Sequence, residues 1–292
     1  VIRYVQPLLR PPSEARSLIL QATLGCSHNE CAFCVGYRGK KFKARRLEDL
    51  FAEIRWAGEE LPFVRRVFLA DGDALALGTN RLLRILNELR LCLPRLERVS
   101  AYAGPGNLRR KSEAELRKLK DAGLGLLYFG AESGDDEVLG RIRKGSTSAE
   151  MIDLCSKAQG EGFELSITVI LGLGGPRLSQ QHAQATGKML GAISPRYASA
   201  LTLMLEPRNP PFEEVFDDPA FRELPPLEIV AECKVLLEHL DAQGTTFRSN
   251  HASNYLSLAG DLPHDKPRLL AEIDEVLAGQ HRRLRPEFLR GL

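Results

Sequence analysis

Short apolar runs alternate along this chain with longer stretches whose apolar residues recur at helical spacing. The runs are SLILQATL (Ser17–Leu24), VRRVFLA (Val64–Ala70), RVSAYAG (Arg98–Gly104), LLYFG (Leu126–Gly130), LSITVILG (Leu165–Gly172) and ALTLML (Ala200–Leu205). Each is rich in β-branched or aromatic residues and stops near Gly, Asp or Pro, which predicts strands. Between them, stretches such as LEDLFAEIRWAGEEL and NRLLRILNELRLCL are amphipathic helices by the same test. Ser112 and Glu115 have the spacing of a capping box ahead of LRKLKDAG, with Gly123 as the stop, and Thr147 and Glu150 repeat the box ahead of MIDLCSKAQ. Six strands alternating with five helical segments imply parallel βα units with right-handed crossovers, so the fold class is α/β. A closed or partly closed β/α barrel is the natural reading; a doubly wound sheet has the same rhythm.

After Glu206 the rhythm changes. PRNPPFEEVFDDPAFRELPP is rich in proline and acid and reads as a long irregular connection. LEIVAECKVLLEHLDAQG then carries apolar residues at helical spacing through Ile229, Cys233, Leu236, Leu237 and Leu240, and the stretch from Pro263 onward reads as helix. The expected organisation is an arm over 1–15, a βα core over 16–206 and a mainly helical extension over 207–292 that closes the core.

With 292 residues, 43% of them hydrophobic and 27% charged, the chain has room for a substantial buried core. A net charge of +2 gives no argument for nucleic acid or membrane. No apolar run reaches the roughly 18 residues of a membrane-spanning helix, and the first residues lack the pattern of a signal peptide. Cys92, Cys155 and Cys233 stand singly in apolar surroundings, so a disulfide framework is not expected and a reducing, cytoplasmic setting is.

The other cysteines change the picture. GCSHNECAFC places Cys26, Cys31 and Cys34 in a C-x4-C-x2-C pattern directly after the first strand. With His28 they could form a Cys3His zinc site, although structural zinc more often joins two separated knuckles. They could also serve a [4Fe–4S] cluster, which four thiolates normally saturate. Three would leave one iron without a protein ligand, and an open metal position is where chemistry occurs.

At this point the sequence resembles the radical S-adenosylmethionine (SAM) superfamily, over most of its length. The family signature is C-x3-C-x2-C with an aromatic residue before the last cysteine. Phe33 holds that place, and the first gap here is one residue longer. FLADGDAL (Phe68–Leu75), YFGAESGDDEVLGRIRKG (Tyr128–Gly145) and VILGLGG (Val169–Gly175) follow in order, as in the oxygen-independent coproporphyrinogen oxidase and Elongator-type cores. The resemblance implies a partial (β/α)6 TIM-like barrel, with Cys26, Cys31 and Cys34 as ligands of a [4Fe–4S] cluster and SAM on the open iron. It implies reductive cleavage of SAM and hydrogen abstraction by the resulting 5′-deoxyadenosyl radical, chemistry the cofactors supply while the protein positions them. Asp71, Gly72 and Asp73 fall where the family receives the SAM amino group, with Asp-Gly-Asp in place of the common Gly-Gly-Glu. Glu132 and Ser133 fall at the ribose or carboxylate contacts, Gly172 and Gly174 at the adenine, and Met204 and Leu205 at further apolar adenine contacts. All lie at carboxyl ends of strands, where such enzymes place their sites.

RSNHASNY is the most polar cluster elsewhere, and Arg248, Asn250, His251, Asn254 and Tyr255 are the candidates for substrate contact. RGKKFKARR (Arg38–Arg46) offers a docking patch for an acidic electron donor such as a flavodoxin, or for nucleic acid phosphate. About 25 residues precede the cluster, so an amino-terminal cobalamin domain is not expected, and Cys92, Cys155 and Cys233 lack the spacing of an auxiliary cluster. The expected function is a radical SAM enzyme acting on an unidentified small molecule. The alternatives are an RNA-modifying member and a non-catalytic zinc or iron–sulfur protein.

Overall fold

The computed structural model describes residues 1–34, 36–37, 39–206 and 210–291. Ten strands occur among them, at Leu18–Gln21 (β1), Thr23–Leu24 (β2), Lys43–Ala44 (β3), Arg66–Ala70 (β4), Arg98–Ala103 (β5), Leu124–Glu132 (β6), Glu164–Leu171 (β7), Tyr197–Thr202 (β8), Thr245–Ser249 (β9) and Leu258–Leu262 (β10). The chain's contacts group it into two compact units, one made mainly of residues 1–129 and the other mainly of residues 130–292.

In the first unit β1, β4, β5 and β6 pair in parallel, with Leu20 opposite Leu69, Leu69 opposite Ala101, and Ala101 opposite Leu127. Four successive residues of β4, Val67 to Ala70, are buried, as expected for a strand covered on both faces. Phe68, Tyr102 and Tyr128 meet edge to face, at centroid distances of 4.9 to 6.2 Å. Helices Leu47–Glu60 and Thr79–Cys92 follow β3 and β4 and bury Leu50, Ile54, Leu82, Ile85 and Leu89. The predicted box is formed on helix Glu113–Asp121, where Ser112 Oγ accepts from Glu115 N–H. Gly123 follows at φ +105°, the backbone that stops the helix. The arm over 1–15 is fastened down: Glu14 is fully buried and takes Arg98, Ser100 and Tyr128 on one carboxylate oxygen at 2.9, 3.0 and 2.7 Å.

In the second unit β7, β8 and β9 are parallel, and β10 returns antiparallel to β9. Helices Gly175–Ile193 and Pro226–His239 form the β7–β8 and β8–β9 crossovers, and Lys266–Leu277 packs beside the latter. Two features differ from the sequence reading. The stretch beyond residue 207 carries strands besides its helices, because β9 extends the parallel strands and a hairpin follows. The strand expected at Ala200–Leu205 lies at Tyr197–Thr202. Its buried positions are Ala198, Ala200 and Thr202, small residues that gave the apolar pattern too little weight. Met204 and Leu205 therefore stand beyond the strand end, half-exposed. Among the described residues no helix is long and apolar enough to cross a membrane.

Candidate functional site

β2 ends at Leu24 and the chain turns at Gly25, whose φ is +71°. A side chain there would be strained, and its Cβ would stand 2.4 Å from Lys40 O. Cys26, Cys31 and Cys34 follow as half-buried thiols. Gly25 donates its N–H to Asp71 Oδ2 at 2.9 Å, Ser27 donates its own to Asp73 Oδ2 at 3.0 Å, and the Ser27 hydroxyl bonds to the same oxygen. Next to Cys31, Ala32 N–H donates to Ile142 O at 2.9 Å. Burial pushes the Cys26 thiol up, the charges of Asp73 and Cys34 add to that, and bonds from the Asn29 and His28 backbone oppose it. A bound cation reverses such a balance, because a coordinating thiol loses its proton. Among the described residues no three His, Cys, Asp or Glu side chains are grouped closely enough to hold one metal ion. In a cubane each thiolate binds its own iron, so three cysteines on one loop suit a cluster by their chemistry without having to share one ion.

Asp71 and Asp73 come from the turn after β4 and are both buried. Asp71 Oδ2 also takes Lys40 Nζ at 2.5 Å, and the ammonium caps Val5 O and Pro7 O as well. Asp71 Oδ1 and the Tyr37 hydroxyl are buried, and among the described residues neither has a hydrogen-bond partner within 3.5 Å, although the two side chains are near enough to interact. Burial, with the neighbouring Tyr102 and Asp71, drives the Tyr37 phenol far up. Gly72 is required by Tyr37, because a Cβ there would lie 2.6 Å from its ring. The basic run is divided rather than uniform. Lys40 is buried on Asp71 and Arg45 forms a two-pronged pair with Glu53 at 2.9 and 2.7 Å, while Lys41, Lys43 and Arg46 are exposed. Arg38 lies outside the described residues.

In the second unit Glu132 sits at φ +68°, a conformation that non-glycine residues rarely adopt, and pairs with Lys144 Nζ at 3.0 Å. Ser133 is fully buried on His182, 2.8 Å from Nδ1. His182 Nε2 lies 3.0 Å from Ile170 O, an acceptor only, so Nε2 carries the proton and Nδ1 accepts from Ser133. Glu232 Oε1 accepts Gly172 N–H at 2.6 Å and lies 3.7 Å from His182, and its other oxygen holds the Ser179 hydroxyl. Desolvation raises the Glu232 pKa against His182, Ser179 and Gly172. Gly172, at φ +81°, opens the GLGG turn, and helix Gly175–Ile193 starts directly after Gly174.

The polar cluster RSNHASNY is the end of β9 and the β9–β10 hairpin loop. Arg248 lies over the Tyr197 ring at 5.6 Å and Asn250 is exposed. His251 pairs with Ser253 at 3.0 Å, and burial and Arg285 lower its pKa. Asn254 is buried and joins Thr202 Oγ1 at 2.9 Å to Ala200 O at 2.8 Å, fastening the hairpin to β8. The Tyr255 hydroxyl donates to Glu287 Oε2 at 2.7 Å, under the Arg290 guanidinium. A cavity of about 300 Å³ brings Tyr255 together with Gly172, Leu203, Ile229, Arg222 and Arg290. Sequence reasoning missed Tyr37, His182, Glu232 and Arg290, and took Lys40 as part of a docking patch rather than as the partner of Asp71. Glu232 left a signal, because it is a carboxylate on the apolar face of LEIVAECKVLL.

The sequence matches the radical SAM superfamily over residues 20–190. The chain belongs to this superfamily. Its members use a [4Fe–4S] cluster and SAM. The heme chaperone HemW of Bacillus subtilis is 25% identical over 186 residues, 63% of this chain and 48% of that protein, so the chain spans about half the length of the relative it matches. Methylornithine synthase superposes with a TM-score of 0.54 at 15% identity, covering 89% of this chain and 81% of that one. Coproporphyrinogen III oxidase from Escherichia coli gives 0.54 at 17% identity, covering 77% and 52%. These likenesses show the fold, the partial β/α barrel of radical SAM proteins.

Proposed function

We propose that the chain is a radical SAM enzyme in which Cys26, Cys31 and Cys34 hold a [4Fe–4S] cluster with one iron left for SAM. The observation that carries this reading is a loop of three half-buried thiols anchored through its backbone to two buried carboxylates. When bound and reduced, the cluster supplies the electron that cleaves SAM to methionine and a hydrogen-abstracting 5′-deoxyadenosyl radical. The protein's residues bind and orient. Asp71 Oδ1, buried and with no close donor among the described residues, is suited to the SAM ammonium, with Gly72 and Asp73 beside it in sequence. Glu132 and Ser133 address the ribose or carboxylate, Gly172 and Gly174 the adenine, and Met204 and Leu205 its apolar edge. Arg248, Asn250, His251, Asn254 and Tyr255 remain the substrate-side candidates, Asn254 through its hold on β8. A small molecule is the substrate class this reading takes, and an RNA would require phosphate contacts from the exposed lysines.

Anaerobic reconstitution tests the proposal. About four iron and four sulfide per chain, then methionine and 5′-deoxyadenosine on reduction with SAM, are expected. Stoichiometric zinc with no SAM cleavage overturns it. The HemW match favours a second reading, in which the chain carries heme. Saturable heme uptake that survives alanine at all three loop cysteines, in a chain that does not cleave SAM, would select it.

A further inference from the structure

We propose that Asp73 and Asp71 are positioning residues that clamp the backbone on both sides of Cys26 and so fix where its sulfur stands. The inference rests on the radical SAM reading, and it gives the acidic motif a task distinct from contact with SAM. Gly25 and Ser27 are the neighbours of Cys26, and each gives its N–H to a carboxylate of the Asp71-Gly72-Asp73 turn. Asp71 closes the neck of the loop. Its Oδ2 takes the Gly25 N–H just after β2 and the Lys40 ammonium ahead of β3, where the Lys40 carbonyl leaves no room for a side chain on Gly25. Tyr37 fills the space over Gly72 and keeps the turn from shifting. Asp73 acts inside the neck, where a single oxygen receives both the amide and the hydroxyl of Ser27.

Two consequences follow from charge and geometry. Charge-assisted bonds to backbone amides are stronger than neutral ones, so the clamp orders the residue that a thiolate ligand needs ordered. A carboxylate this close to Cys26 also opposes each added negative charge, so Asp73 holds the potential of the cluster down.

The test compares Asp73→Asn, Asp73→Ala and Ser27→Ala with the unaltered chain. In the iron-free protein, hydrogen exchange of the Gly25–Cys34 segment should quicken about tenfold in Asp73→Ala, which loses the charge-assisted bond to the Ser27 amide, and less in Asp73→Asn. After reconstitution, Asp73→Ala should release iron to a chelator faster. Asp73→Asn should keep its iron while its midpoint potential moves upward and its electron paramagnetic resonance signal changes, which a merely structural residue would not produce. Unchanged exchange, iron retention and potential in all three variants overturn the clamp. If Asp73→Ala does not fold by circular dichroism, Asp73→Asn and Ser27→Ala decide. Failure of the unaltered chain to take up iron sinks the radical SAM reading, and the exchange measurement still judges the clamp alone.

Discussion

At the scale of single residues, the six cysteines divide by environment. Cys26, Cys31 and Cys34 are half-buried in the loop, whereas Cys155 and Cys233 are buried and burial pushes both thiols up to about 12. Thiolate is the reactive form, so alkylation near neutral pH should spare Cys155 and Cys233 and reach the loop cysteines. Loading with iron and sulfide should then protect the loop cysteines and leave half-buried Cys92 reactive, as peptide mass spectrometry would read. Protection of none of the three would contradict their role as ligands. Gly172 makes a second residue-scale case. An alanine there would adopt φ +81° with its Cβ 2.8 Å from Ile229 Cδ1. Gly172→Ala should lower stability by about 1–3 kcal/mol in a denaturant titration.

At the scale of elements, the glycine turn after β7 is held from outside its own βα unit. Glu232, on the next crossover helix, accepts the Gly172 N–H, and desolvation raises its pKa above the usual 4.5. The folded chain therefore binds this proton more tightly than the unfolded one. Stability is greatest below the unfolded pKa and declines as pH rises through the raised folded value. Urea midpoints at about pH 4 and about pH 8 should differ less for Glu232→Gln than for the unaltered chain, whereas an unchanged difference would place the titration elsewhere. The elements also explain what was legible in the sequence. Strands such as β4 and β7 are rich in apolar and β-branched residues because most of their positions are buried, and the Ser112 box is a local bond set by spacing alone, so both could be read directly. β9 could not, because Thr245, Thr246, Arg248 and Ser249 are polar and its pairing with β8 is remote in sequence. The cysteine loop was legible as a motif. Its fastening to Asp71 and Asp73 was not, because 46 residues separate each donor from its acceptor.

At the scale of the whole molecule, the small net charge conceals an uneven use of cations. Of the basic run after the cluster loop, Lys40 and Arg45 are committed to Asp71 and Glu53, which leaves Lys41, Lys43 and Arg46 exposed, the last 3.5 Å from Glu48. An enzyme that needs one electron per SAM cleavage must meet a donor, and exposed cations a few residues from Cys34 suit an acidic one. Attraction of this kind acts over roughly a Debye length, about 8 Å at physiological salt, so it governs the encounter rate more than the final affinity. Lys41→Glu combined with Lys43→Glu should therefore slow reduction by an acidic flavodoxin about tenfold at low salt, with the difference shrinking as salt is added. Reduction by dithionite, whose small size needs no docking face, should yield 5′-deoxyadenosine at the unaltered rate, which separates lost docking from a damaged cluster loop. Equal loss with both reductants would mean that the lysines support the loop, and equal retention with both would place the donor on another face.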